Sequence, residues 1–111
     1  MSYIPSIKQM ISNVTGATSI VVPANMYILG IVIDSTNANS ITGGIKIGTS
    51  LGATDVVSVF AVTGNSLSHI PSSLILKRIF SKTASTTLYI DAVTLFNSAN
   101  ISVSFMLREV F

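Results

Sequence analysis

Met26-Tyr-Ile-Leu-Gly-Ile-Val-Ile33 is the stretch that decides the fold class. Seven of its eight residues are apolar and the eighth is Gly30. A membrane-spanning helix needs about 20 such residues, so this run is too short for one. It is rich in β-branched side chains. Turn formers bound it, with Pro23 and Asn25 before and residues 34–40 after. That combination specifies a strand. Strict alternation would send Tyr27, Leu29, Ile31 and Ile33 to one face, and Met26, Ile28 and Val32 to the other. Both faces are apolar, so both need cover: one from the domain's own core, the other from a second layer or another copy of the chain.

Strand and turn signals continue outward in both directions. Toward the N-terminus, residues 19–22 read as a short strand stopped by Pro23, which cannot donate to a ladder. Residues 3–14 are ambiguous. Ile4, Ile7, Ile11 and Val14 fall at helical spacing, yet the same residues suit an extended arm or a short edge element. Toward the C-terminus, Gly43 and Gly44 suit a bulge or tight turn, after which Ile45 and Ile47 should face inward and Lys46 outward. Residues 55–63, 67–70, 74–80 and 86–95 read as further strands, separated by turns rich in Gly, Asn, Ser and Pro. Residues 101–109 alternate most regularly, with Ile101, Val103, Phe105 and Leu107 facing in. About eight short strands with turns every 8–12 residues or so are the pattern of an all-β, antiparallel sandwich, jelly-roll-like in kind. The expected division is an N-terminal arm over residues 1–15 and a β-sandwich domain over residues 16–111.

Of 111 residues, 49% are hydrophobic and 9% are charged. An ordinary soluble domain carries roughly 25% charged residues. Ser, Thr and Asn must therefore form most of the polar surface, and such a surface loses few hydrated charges when another protein meets it. The formal charge of +2 comes from six bases and four acids, too little for a nucleic-acid footprint. Cysteine is absent, which excludes disulfides and thiol chemistry. The opening residues lack the basic segment and long apolar run of a signal peptide, so the expectation is a cytoplasmic product that leaves only by assembly into something larger.

Catalytic signals are sparse. His69 is the one histidine and stands beside Pro71 without a nearby carboxylate in sequence. Asp34, Asp55, Asp91 and Glu109 are isolated, with no metal-loop spacing; Asp34 and Asp55 suit turn capping. No nucleophile elbow or phosphate-binding loop occurs. Lys77, Arg78 and Lys82 form the one basic cluster and suit a rim at a subunit contact. No cofactor, metal, nucleic acid or membrane is expected, and no enzymatic activity.

Thr42-Gly-Gly-Ile-Lys-Ile-Gly-Thr49, then Asp55-Val-Val, Leu76-Lys-Arg-Ile-Phe80 and Leu88-Tyr-Ile-Asp-Ala-Val93 give an order of segments that resembles small β-sandwich virion proteins of tailed bacteriophages, of the head-fibre and capsid-decoration type. The resemblance runs from about residue 20 to the C-terminus. It implies a homotrimer on the outer surface of a capsid, held to the major capsid protein or another virion protein by its N-terminal segment. The large apolar residues expected at the subunit interface are Met26, Tyr27, Ile28, Phe80 and Met106. Tyr3, Ile4 and Ile7 are the expected anchor. The competing expectation is a carbohydrate- or receptor-binding β-sandwich module, which would stack sugars on exposed tyrosines.

Overall fold

The computed structural model describes residues 6–110. Its strands are β1 (Ser6–Val14), β2 (Thr18–Val22), β3 (Met26–Ser35), β4 (Ile45–Gly48), β5 (Val57–Phe60), β6 (Leu67–Pro71), β7 (Thr86–Ala92) and β8 (Ile101–Glu109). One 3-10 turn, Ser72–Leu74, follows β6. The strands pair from the outside of the chain inward: β1 with β8, β2 with β7, β3 with β6 and β4 with β5. Two further pairings, β3 with β8 and β4 with β7, complete two four-stranded antiparallel sheets. Their orders are β1-β8-β3-β6, here the first sheet, and β2-β7-β4-β5, the second. The chain is an all-β sandwich.

Alternation builds the core. Ile101, Val103, Phe105 and Leu107 of β8 are fully buried, and the residues between them are not. The second sheet answers with Ile45, Ile47, Leu88 and Ile90, all fully buried. Lys46 points away between its two isoleucines, as its position in the alternation requires. The tight turn before β4 uses Gly43 and Gly44, both at φ +82°. A Cβ on Gly44 would meet the Phe60 carbonyl oxygen at 2.5 Å, so only glycine fits.

In β3 the strict alternation fails at one point. Ile28 lies opposite Leu107, but Gly30 lies opposite Met106, so Leu29 is an extra residue in the strand. This β-bulge resets the phase. Ile28 joins Ile31 and Ile33 in the core, all fully buried, while Leu29 turns to solvent. Ile28 therefore belongs to the interior and is unavailable to a subunit interface, contrary to expectation.

Two further expectations need correction. Residues 74–80 do not form a strand. The Leu76 N–H donates to the Val56 carbonyl (2.8 Å), beside the second sheet, whereas the Arg78 carbonyl accepts from the Ile28 N–H (2.9 Å) of the first. Over three residues the backbone passes its hydrogen bonds from one sheet to the other, so it cannot lie along either. Ile75 is buried, while Leu74, Leu76 and Ile79 are exposed. The boundary expected at residue 15 also does not divide an arm from the domain. Ser6–Val14 is an edge strand of the first sheet, in register with β8 from Ser6↔Arg108 to Ile11↔Val103. Ile7 of the expected anchor lies on this strand. Tyr3 and Ile4 lie outside the described residues.

At one end of the sandwich, uncharged side chains tie three loops together. Asn37 and Asn39 both donate to the Ser98 carbonyl (3.0 and 3.2 Å). The Asn97 side chain donates to the Ser40 carbonyl (3.2 Å), and the Ser40 hydroxyl accepts from the Gly64 N–H (2.9 Å). Asparagine also serves the backbone, since Asn65 and Asn97 sit at positive φ, which this side chain tolerates.

Two substitutions separate core from crossover. Phe105→Ala should lower stability by about 3–5 kcal/mol, the usual result of emptying an aromatic core site. Leu76→Ser should stay within about 0.5 kcal/mol of the parent, because that side chain is largely in solvent. Denaturant unfolding of the two variants measures both.

Candidate functional site

The outer face of the first sheet is built by register. Residues directly opposite in an antiparallel ladder share a face, so the residues across from the buried set define it row by row. One row is Lys8, Met106, Gly30 and Pro71; the next is Met10, Ser104, Val32 and His69. Tyr27 beside Arg108 flanks them at one end, and Ser102, Asp34 and Leu67 at the other. The inner rows hold Met106, Val32, Gly30 and Ser104, with the exposed His69 imidazole against Gly30. The charges of Lys8, Arg108 and Asp34 stand at the perimeter. Met10 is 55% exposed and Leu67 73%, so large apolar side chains meet water here. Large apolar side chains within a charged rim are the anatomy of a protein–protein contact.

The glycine at the centre lets a neighbour lie flat. A Cβ on Gly30 would come within 2.7 Å of His69 Nε2, so the imidazole occupies the space a side chain would take. His69 thus covers a backbone, on an exposed surface.

The expected interface residues divide. Tyr27 and Met106 are on this face, half-buried. Met26 and Phe80 instead pack against the core from its margin, and Ile28 is inside it. The face also contains Met10 and Leu67, which the sequence reading did not single out. Met10 was obscured by the helical spacing of residues 3–14. Leu67 begins a short strand whose partner was not identifiable from local sequence. The basic residues Lys77 and Arg78 are exposed on the crossover, where the Arg78 carbonyl and a bridge from Ile79 to Tyr27 bring the backbone alongside β3.

The second sheet differs outside. Ser19 and Gly48 flank Tyr89, Thr87 lies opposite Val21, and Lys46 opposite Asp91. Hydroxyls and a facing pair of opposite charges suit water. A shallow cleft of about 320 Å³ opens there, lined by Ala17, Thr18, Ser19, Leu51 and Tyr89. Leu51 reaches it from the loop before β5. Asp55 holds that loop: its carboxylate accepts from the Thr49 N–H (2.8 Å) and the Thr49 hydroxyl (2.6 Å). The hydroxyl bond foremost, then the backbone bond, keep the Asp55 carboxyl below its ordinary value, with Lys77 adding a small attraction.

The four acids lie on separate elements, and among the described residues no group of three or more His, Asp or Glu side chains could hold a metal ion. Comparison of the chain with family models, with curated proteins and with solved structures finds no match.

The lowered Asp55 carboxyl makes a signed prediction. A group more acidic in the folded chain stabilises it above the unfolded value, near 3.9, and that contribution fades as pH falls through the folded one. Asp55→Ala should therefore be less stable than the parent at pH 7, and the gap should narrow in acid. Urea midpoints at pH 7 and pH 3 test this; an equal gap at both would remove the ionised carboxylate from the account.

Proposed function

We propose that this chain is a non-enzymatic structural subunit of a tailed-phage virion. In this reading it is a homo-oligomer, a trimer, that decorates the outer surface of the capsid. The observation that carries it is the apolar outer face of the first sheet, with Met10, Met106, Val32 and Leu67 in a chain that has few charges. Covering such a surface stabilises association by roughly 25 cal/mol for each Å² of apolar area removed from water. The nested strand pairing supports reading the sandwich as a jelly roll, in line with the resemblance noted in the sequence. The segment ahead of β1 is proposed to dock on the major capsid protein or another virion protein.

The cleft at Tyr89 supports the alternative, a carbohydrate- or receptor-binding module. A tyrosine ring beside the hydroxyls of Thr18 and Ser19 is chemistry suited to a neutral sugar. A glycan array, with Tyr89→Ala as control, decides for the alternative if binding appears and depends on that ring.

Two experiments test the main reading. Val32→Asp places a charge at the centre of the proposed contact. It should lower the native mass of the assembly while leaving the far-ultraviolet spectrum of the folded chain in place. A parent chain that stays single at high concentration would refute the proposal. Removing residues 1–5, which spares β1, should abolish attachment to particles without changing the native mass. Undiminished decoration by the shortened chain would move the anchor elsewhere.

A further inference from the structure

We propose that β1 is a two-fold pairing edge, at which the β1 strand of a second copy adds antiparallel to extend the first sheet from four strands to eight. The proposal rests on the self-association reading for the identity of the partner, and it adds a two-fold contact, distinct from the outer face, that joins a chain of one trimer to a chain of another.

The four sheet edges are not alike. The β6 edge is five residues long and ends in Pro71, and the β2 edge is five residues long. The β5 edge has four residues, and the crossover bonds to the backbone at Val56 just before it. These are the usual means of blunting an edge. β1 is nine residues long, contains no proline and carries the single charge of Lys8. Among the described strands it pairs with β8 alone, so alternate N–H and C=O groups along its other side point outward. The irregularity in its pairing falls between Ile11 and Val14, with Asn13 at φ +54°, beyond the regular stretch.

The side chains at this edge are incomplete in the single chain. Ile7 stands opposite the fully buried Leu107, on the core side of the sheet, yet is 38% exposed. Gln9, opposite the fully buried Phe105, puts an amide on the same side. A second β1 can supply what is missing in one register above the others. With Gln9 facing Gln9 across the two-fold axis, Ile7 faces Ile11, Lys8 faces Met10, and the two amides can donate to each other. The pairing spans residues 6–12, the straight part of the strand. Shifting it so that Lys8 faces Lys8 opposes like charges, which is unfavourable in a ladder. Odd shifts send Ile7 to the wrong face.

The chain contains no cysteine, so a single introduced one reports the contact. Facing residues in an antiparallel ladder have Cα atoms roughly 4.5–5.5 Å apart, within the range that a disulfide bridges. Under mild oxidation, Gln9→Cys should shift from the mass of one chain to that of two on a non-reducing gel. An equal mixture of Ile7→Cys and Ile11→Cys should cross-link, whereas Ile7→Cys alone should not, since its sulfurs would be separated by four residues, roughly 13 Å along the strand. The Gln9→Cys link should persist when Val32→Asp is added, because the two contacts use different surfaces. If the parent has a multi-chain mass but Gln9→Cys does not cross-link, the edge proposal fails and self-association through the face stands. If the parent is a single chain at every concentration and Gln9→Cys stays reduced, both fail.

Discussion

The ladder between β3 and β8 is the interaction on which the rest depends. It joins the two longest inner strands, and each then carries an outer strand on its free side, β6 on β3 and β1 on β8. The buried side chains of these two strands form one wall of the core. Antiparallel register makes the placement of every outward residue follow from the placement of the inward ones. The bulge at Leu29 is the one adjustment. It lets Ile28 and Ile31 both reach the interior although they are three residues apart.

The two sheets meet the same core but end differently outside. The second sheet presents Ser19, Thr87, Tyr89, Lys46 and Asp91, with Val21 opposite Thr87 also exposed. The first presents methionines, valine, leucine, a glycine covered by imidazole and two serines. A chain with 9% charged residues has few ions with which to keep a face hydrated. It joins the loops at one end of the sandwich with neutral amides and hydroxyls.

On the proposed reading, the face and the edge of this sheet are complementary routes to association. Burial on the face is non-directional and scales with area. Strand addition at the edge is directional, because backbone hydrogen bonds and the alternation of side chains admit few registers. Together, on the proposed reading, they would let a small sandwich with few charges form a specific array. Two of the titratable groups have structural roles: Asp55 holds a loop and His69 covers a glycine.

Much of the fold was legible locally. Residues 101–109 alternate so regularly that strand, inward face and bounds could be read directly, and Gly43-Gly44 announced a turn that admits no side chain. Residues 74–80 misled because alternation records only which side chains are apolar, and their backbone bonds are divided between two sheets. Residues 3–14 stayed open because four apolar positions fit two periods at once, and pairing of Ser6–Val14 with β8, almost a hundred residues away, selects the edge element. The outer face of the first sheet was half legible for the same reason: Tyr27 and Met106 lie on it, whereas Ile28, Met26 and Phe80 are drawn into or against the core. By itself, the sequence determined that this chain folds as strands, with too few charges and no cysteine, because period, propensity and composition are properties of neighbouring residues. Which strands pair, where the bulge falls and which apolar side chains remain outside were decided only by the tertiary structure, because register is set by partners distant in the chain.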